Sequence, residues 1–589
     1  MTSVIFIFLR RMRLPLIILI LVYALATLGL TLVPGQDDQG NLHYLSFFHA
    51  FYFVSFMGST IGFGEIPYPF TDPQRVWVLV GIYTSVIAWL YTIGSLLTLF
   101  QDPAFKRAIT FQGFRNKVKR QREHFWIICG LGTTGHALME RLIDNNINVV
   151  VIDSKQSALD ALELVDYGGS VPALLADMTI PENLVAAGIA HKDCAGVISL
   201  ASDDNANLKV AVVANQLQDN PNLTVICRSE SEDATRNMKS FGTNVVLNPF
   251  QTFANQFGLA IHDHQLYTLS RWLTDNGEKS LSEDKAPPAG HWIICGYGRL
   301  GKSLETILKK RKIEVTVVDP EPKSHQAPRS CVVGRGTEAD TLIKADLATA
   351  SGIVAATSDD SDNLSIVMTA KELRRDLFTI ARLNSFSNDV LFRAAELDLV
   401  IRRNEALADR ILAIVDRPLV TQFLRLAHQL PKKTIENLMS SIRSNTGGSK
   451  PVSWRYSISS DQTPAISQML AKNSVITIRD LIQQPNTKDK QAIPLLLVED
   501  GNTKLLPELT DQVLPNQQFL FCGTGKARRN SLRLCEDVDL LDQILKPDRS
   551  AIPGIRWFFN YQQRAKPGNS SPESNPKNIS SNSSSNENK

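Results

Sequence analysis

Two long apolar runs open the chain, and shorter apolar runs separated by turns and helix-period segments fill most of the remainder. Leu14 to Val33 is a stretch of 20 residues without a charge, enough as a helix to cross about 30 Å of hydrocarbon. Val76 to Phe100 is a second uncharged run. Between them, Tyr44 to Thr60 is apolar and aromatic but too short to cross, which predicts a half-helix that enters the bilayer and turns back. Further along, Phe250 to Leu273 reads as helical, Asn276 to Gly290 as a polar linker, and Ala406 to Ile442 as helical with breaks at Pro418 and Pro431. After a linker at Ser444 to Lys450, β-like runs at Ala492 to Val498 and Gln518 to Cys522 predict a small terminal lobe. From Lys566 onward Ser, Asn, Pro and Lys dominate, which predicts disorder.

The half-helix leads into Thr60-Ile61-Gly62-Phe63-Gly64-Glu65. Backbone carbonyls can all face one axis, as a dehydrated cation requires, only if alternate residues adopt dihedrals that a Cβ disfavours. Gly62 and Gly64 supply that freedom, and Thr60 adds a hydroxyl at the inner end. Phe63 is placed to wedge the loop from behind, and Glu65 to set a carboxylate at the mouth. One such loop cannot encircle an ion, so the reading calls for four copies around an axis.

Charge then orients the spans. Arg10, Arg11 and Arg13 precede the first, and Lys106, Arg107, Arg115, Lys117, Lys119, Arg120 and Arg122 follow the second. The segment between carries Asp37, Asp38, Glu65, Asp72 and only Arg75, so both termini are expected in the cytoplasm of a multi-pass inner-membrane protein. A cleaved signal peptide is the competing reading of the first span, because Ala24-Leu25-Ala26 mimics a cleavage site. At 589 residues several domains are expected. A net charge of +3 against 62 basic and 59 acidic residues gives no reason to invoke nucleic acid. Seven cysteines, several inside strand-like runs and none at metal-binding spacing, point to reduced thiols in a cytosolic compartment.

The sequence also repeats. His124-Phe-Trp-Ile-Ile-Cys-Gly-Leu-Gly-Thr-Thr-Gly135 recurs as His291-Trp-Ile-Ile-Cys-Gly-Tyr-Gly-Arg-Leu-Gly301. Gly130, Gly132 and Gly135 correspond to Gly296, Gly298 and Gly301, and Asp153 to Asp319, all at the same separation. Each copy is a strand, a Gly-x-Gly-x-x-Gly turn, a helix and a second strand closed by an acid, the dinucleotide-binding βαβ pattern. Phosphate is expected on the helix N-terminus, beside Thr133 and Thr134 in the first copy and Arg299 and Leu300 in the second. Asp153 and Asp319 are placed to accept from ribose hydroxyls and to disfavour a 2′-phosphate, which favours NAD(H) or an adenine mononucleotide over NADP. Later strand ends offer Asp177, Ser202, Asp203 and Arg228 in the first copy, and Thr337, Ser358, Asp359 and Arg382 in the second. Each arginine has two readings, a phosphate ligand or an interdomain salt bridge.

The six-residue loop resembles the potassium-channel signature Thr-x-Gly-Tyr/Phe-Gly-Asp/Glu, and the repeat resembles the RCK family, regulators of potassium conductance, here in tandem behind a two-helix pore. The expected fold class is an α-helical membrane pore (two spans and a re-entrant helix) followed by α/β Rossmann-like tandem RCK domains. The expected domains are a pore at 1–105, a basic linker at 106–123, RCK domains at 124–275 and 291–443, a lobe at 452–545 and a disordered tail at 546–589. The resemblance implies a homotetramer in contact with membrane lipid and a cytoplasmic gating ring. The implied ligands are NAD(H) or AMP, ADP or ATP, with K+ the transported ion and Ca2+ a further candidate. The hinge glycine usual in such channels falls at Thr84 and Ser85, leaving Gly81 and Gly94 as flexible points or as sites of close helix packing. The chain is not expected to be an enzyme. The alternatives are a membrane-tethered NAD-binding regulatory subunit of a potassium transport system and an NAD-dependent oxidoreductase.

Overall fold

The computed structural model describes residues 2–217, 220, 223–274, 286–482 and 492–545. The chain divides into two compact units, Met1–His262 with Pro287–Asp416, and Asp263–Ala286 with Arg417–Lys589. The expected tail, 546–589, and most of the expected linker at 276–290 lie outside the described residues.

The first unit begins with helix α1 (Thr2–Leu32) and a two-residue strand pair, β1 (Gly35–Gln36) and β2 (Leu42–His43). Helices α2 (Phe47–Gly58) and α3 (Asp72–Gln101) follow. Two helices are thus long and apolar enough to cross a membrane, Ile5–Leu32 and Asp72–Gln101. Their large side chains stand in the open, Ile20, Ile87 and Leu90 among them, as lipid-facing residues do and core residues do not. Helix α3 runs without interruption through Gly81 and Gly94. A Cβ at Gly81 would meet Met57 Cε at 3.5 Å and Ala26 Cβ at 3.8 Å, so this glycine lies where three helices approach one another.

The expected basic linker at 106–123 is helical for most of its length. It is helix α4 (Pro103–Lys119), started by Asp102, whose carboxylate accepts from Ala104 N at 2.7 Å and pairs with Arg11 at 3.2 Å. Its Phe105 packs with Met12 and Leu99 at the end of the spans, while Phe114 and Val118 join the core of the next domain. A mechanically continuous element therefore connects the two.

Strands β3 (Phe125–Cys129), β4 (Asn148–Asp153), β5 (Ala173–Leu175), β6 (Cys194–Ser199), β7 (Thr224–Arg228) and β8 (Val245–Leu247) form one parallel sheet ordered β5-β4-β3-β6-β7-β8. The second copy repeats the plan with β9 (Trp292–Cys295), β10 (Val315–Asp319), β11 (Val332–Val333), β12 (Gly352–Ala355), β13 (Phe378–Arg382) and β14 (Leu399–Ile401), in the order β11-β10-β9-β12-β13-β14. Both are doubly wound, with the change of direction beside the first strand, where such sheets open a crevice.

The two domains exchange helices. Helix Pro249–His262, which leaves the first domain, lays Phe250, Phe253 and Phe257 against Trp292, Leu304 and Leu308 of the second. Helix Arg403–Asp416, which leaves the second, returns Leu407, Ile411 and Leu412 onto Leu138, Met139 and Leu142 of the first. Each outer layer is apolar and would be exposed without the other's helix. The predicted helix over Phe250–Leu273 is really two, because Asp263 ends the first and caps the next at Leu266 N, 3.1 Å.

In the second unit the predicted breaks are real: Pro418 opens helix Pro418–Ala427 and Pro431 precedes helix Lys432–Thr446. The latter helix covers the first three residues of the expected linker at 444–450 before stopping at Gly447, φ 62°. Beyond it, β15 (Val452–Ser457), β16 (Ile493–Glu499), β17 (Asn502–Leu505) and β18 (Gln518–Gly523) make an antiparallel sheet over Trp454, Ile466, Phe519 and Phe521.

Candidate functional site

Two places in the first unit carry chemistry. The first follows α2, where Thr60, Gly62 and Gly64 have φ of 60°, 68° and 97°, so every second residue lies in the left-handed region. The last two are the glycines expected to do so; the first is a threonine that bears the strain itself. Nothing lies within 4 Å of a Cβ placed on Gly62 or Gly64, so conformation alone demands glycine there. Ile61 and Phe63 are exposed, and Phe63 is braced edge-on by Phe56 at 5.6 Å. The loop is tied back to α2 by Thr60 N to Met57 O at 3.1 Å and Ile61 N to Phe56 O at 3.0 Å. Glu65 does not stand free at the mouth: its carboxylate accepts from Arg75 and from Phe70 N.

The second place is doubled, at the crevice of each sheet. Gly130 and Gly296 take φ of 96° and 97°, which turns the chain from strand to helix. Gly132 and Gly298 are the N-caps of helix α5 (Thr133–Asp144) and helix Arg299–Lys310, with no side-chain cap and open space where a Cβ would be. The third glycines, Gly135 and Gly301, have a different reason: a Cβ would lie 2.3 Å and 2.1 Å from the carbonyl oxygens of Gly130 and Gly296. Uncapped amides beside an open second glycine form a place for an anion.

Asp153 and Asp319 close this loop as well as facing it. Asp153 accepts from Leu131 N at 2.5 Å and Lys155 N at 2.7 Å; Asp319 accepts from Tyr297 N at 2.7 Å and Glu321 N at 2.8 Å. In the second copy His325 Nδ1 is also 2.9 Å from Asp319, leaving that carboxylate almost wholly buried. Tyr297, where the first copy has Leu131, hydrogen-bonds the buried Glu305, and burial, with that bond added, pushes its phenol far above the usual range. The two crevices are therefore chemically unlike.

Arg228, at the end of β7, is buried and pairs with Glu230, Nε to Oε1 at 2.9 Å. The other oxygen of Glu230 pairs with Arg299, the first helical residue of the second glycine loop. Arg228 thus belongs, through Glu230, to a network that joins the two domains, the pair across the boundary being Glu230 with Arg299. Arg299 and Arg382 also lie over the Phe250 ring, at 4.9 and 5.7 Å. On the other side, Thr134 Oγ1 donates to Asn404 Oδ1 at 3.0 Å, so each returning helix touches the other domain's loop.

The remaining predicted residues play local parts. Asp177 accepts from Thr179 N at 2.8 Å, which lowers its pKa, and Asp203 accepts from Asn205 N at 3.0 Å. Asp359 is a helix N-cap, receiving Ser361 N and Asp362 N, and Thr337 donates to Glu338. Ser202 and Ser358 are exposed. Sequence reasoning missed Asn207 and Asn363, both fully buried. Asn207 ties Ser199 and Ala201 to the Arg228 carbonyl, and Asn363 ties Thr357 to the Arg382 carbonyl, fixing the strand ends that shape each crevice. The signal was present, since both stand in the same place relative to the repeated Asp-Asp pair. Among the described residues no three His, Cys, Asp or Glu side chains cluster to hold a metal ion.

Residues 126–249 and 292–403 match the TrkA-N domain, one match on each of the two parallel sheets that follow the membrane-length helices. The expected fold class and the expected resemblance to potassium channels with RCK domains are both met. Potassium channel protein 1 of Methanocaldococcus jannaschii is 27% identical over 241 residues, 41% of this chain and 67% of that protein. Probable potassium channel protein 2 of the same organism is 26% identical over 331 residues, 55% of this chain and 91% of that one. Among solved structures, the GsuK channel aligns over 90% of this chain and all of its own at 16% identity, TM-score 0.48.

Proposed function

We propose that this protein is the subunit of a tetrameric, potassium-selective channel whose paired TrkA-N domains bind a nucleotide on the cytoplasmic side and bias the pore. The observation that carries the reading is the alternation at Thr60, Gly62 and Gly64, on an exposed loop at the end of a half-helix between two membrane-length helices. That backbone turns successive carbonyls the same way, and four copies would close them into rings that replace a cation's water. The names of the curated relatives support the choice of K+.

The ligand is an adenine nucleotide or NAD(H), with its phosphates on the free amides of residues 133–135 and next to Arg228. The first crevice is the better site, because Asp153 has no partner like His325 and Leu131 takes the place of Tyr297. A phosphate that draws Arg228 away from Glu230 leaves Glu230 to Arg299 and so alters the second domain's loop. Helix α4, packed on both the spans and the first domain, carries the change to the pore.

The test is K+ flux from proteoliposomes of the purified full chain, with and without ADP and NADH. Flux that a Gly62→Asp variant abolishes supports the channel. Vesicles tight to K+ under every nucleotide, beside a working control channel, would overturn it and favour a regulatory subunit.

A further inference from the structure

Between the loop and the second span, the structure builds a strut that the filter reading does not use. Arg75, in the first turn of α3, donates from Nε to Glu65 Oε1 at 3.0 Å and from Nη2 to Oε2 at 3.2 Å, the two-pronged geometry that fixes a carboxylate in plane as well as in position. Phe70 N adds a third bond to Oε2 at 2.8 Å. Both anchors are themselves held. Phe70 is buried, its ring 4.8 Å from Phe53 of α2. The start of α3 is tied to the chain just beyond α1 by Thr71 Oγ1 to Pro34 O at 3.1 Å, and the buried Gln74 accepts from Thr71 N at 3.1 Å. Nothing comparable holds Gly62 or Gly64, whose surroundings are open.

We infer that Arg75 is a positioning residue that determines ion discrimination, acting through Glu65 on the outer end of the loop. The inference rests on the channel reading given above. Two consequences distinguish it from the simpler idea that Glu65 gathers cations. Paired with a guanidinium, each Glu65 adds no net charge at the mouth, so the carboxylate contributes geometry rather than attraction. And because Arg75 rides on α3, a movement of that span reaches the loop's outer end directly, without passing through the aromatic contacts of α2. Asp72 does not take over this role: it lies 3.7 Å from Arg75 Nη1 and is almost fully exposed.

Reversal potentials of the full-length channel in planar bilayers, under K+ against Na+, test the proposal with four proteins: wild type, Arg75→Gln, Arg75→Lys and the double variant Glu65→Gln/Arg75→Gln. The expected result for Arg75→Gln is a K+/Na+ permeability ratio lower by about tenfold, equivalent to about 1.4 kcal/mol of discrimination, with K+ current retained and stronger external block by Ba2+ from the uncovered carboxylates. Arg75→Lys keeps the charge but not the fork, so its ratio should fall as well. The double variant, an uncharged amide pair, should recover part of the ratio without the added block. Unchanged selectivity in Arg75→Gln with intact assembly overturns the inference. If Arg75→Gln does not assemble, unchanged selectivity in Arg75→Lys does so. A wild type that passes no K+ overturns the channel reading instead.

Discussion

Glu230→Gln is the most informative single change in the cytoplasmic part, because one carboxylate serves two arginines from different domains. The Arg228 and Glu230 side chains are only 8% and 11% exposed, whereas Arg299 is 59% exposed. The shielded half is a charge-assisted hydrogen-bonded pair worth about 1.5–3 kcal/mol, and the solvated half contributes about 1 kcal/mol or less. The amide keeps an acceptor but no charge, so the free protein should lose about 2 kcal/mol and the Tm of a cooperative unit of about 150–250 residues should fall by about 4–8 °C. If a nucleotide binds as proposed, the bound protein should lose much less, since a phosphate next to Arg228 would replace the missing anion. The difference is returned as affinity, about 10- to 100-fold at 1.4 kcal/mol per decade. Calorimetric titration of ADP and NADH into the detergent-solubilised full chain, alongside thermal unfolding, measures both. Arg228→Gln in the same background should cancel the gain. A folded Glu230→Gln that binds no more tightly than wild type would refute the idea that phosphate and Glu230 compete for Arg228.

Ile411→Ala removes a buried side chain from the helix that returns to the first domain, and should cost about 2–4 kcal/mol by the cavity it leaves, read as a lower Tm. Gly62→Ala places a Cβ where φ is 68° and nothing else is near, so flux should fall with little change in assembly size, a strain of about 1–2 kcal/mol per subunit. Thiol labelling at pH 8 should mark Cys331 first. Burial pushes Cys194, Cys227, Cys522 and Cys535 up to about 12 and Cys129 and Cys295 higher still, so these stay protonated and enclosed until the protein unfolds. Labelling of any of these six at the rate of Cys331 would contradict the burial described.

Much was legible in the chain because its signals are local. The uncharged runs, the alternate glycines after α2 and the repeated Gly-x-Gly-x-x-Gly loops each depend on backbone geometry within a few residues, and each appears where the sequence placed it. Pro418 and Pro431 marked helix ends for the same reason. The helical form of the linker after Phe100 was not legible because its basic surface hides only three buried residues, Phe105, Phe114 and Val118, too few for a periodic signal.

By itself, then, the sequence determined which segments are apolar enough to leave water, where the backbone must turn left-handed, and that one α/β plan is used twice. The tertiary structure decided which charges meet. Glu65 finds Arg75, Glu230 is shared by Arg228 and Arg299, and each domain receives the other's helix. Contacts of this kind join residues as distant as Thr134 and Asn404, 270 positions apart. Spacing along the chain cannot encode them, since an ion pair or a buried contact depends on distance in space, and that distance exists only once the sheets have folded and the helices have crossed.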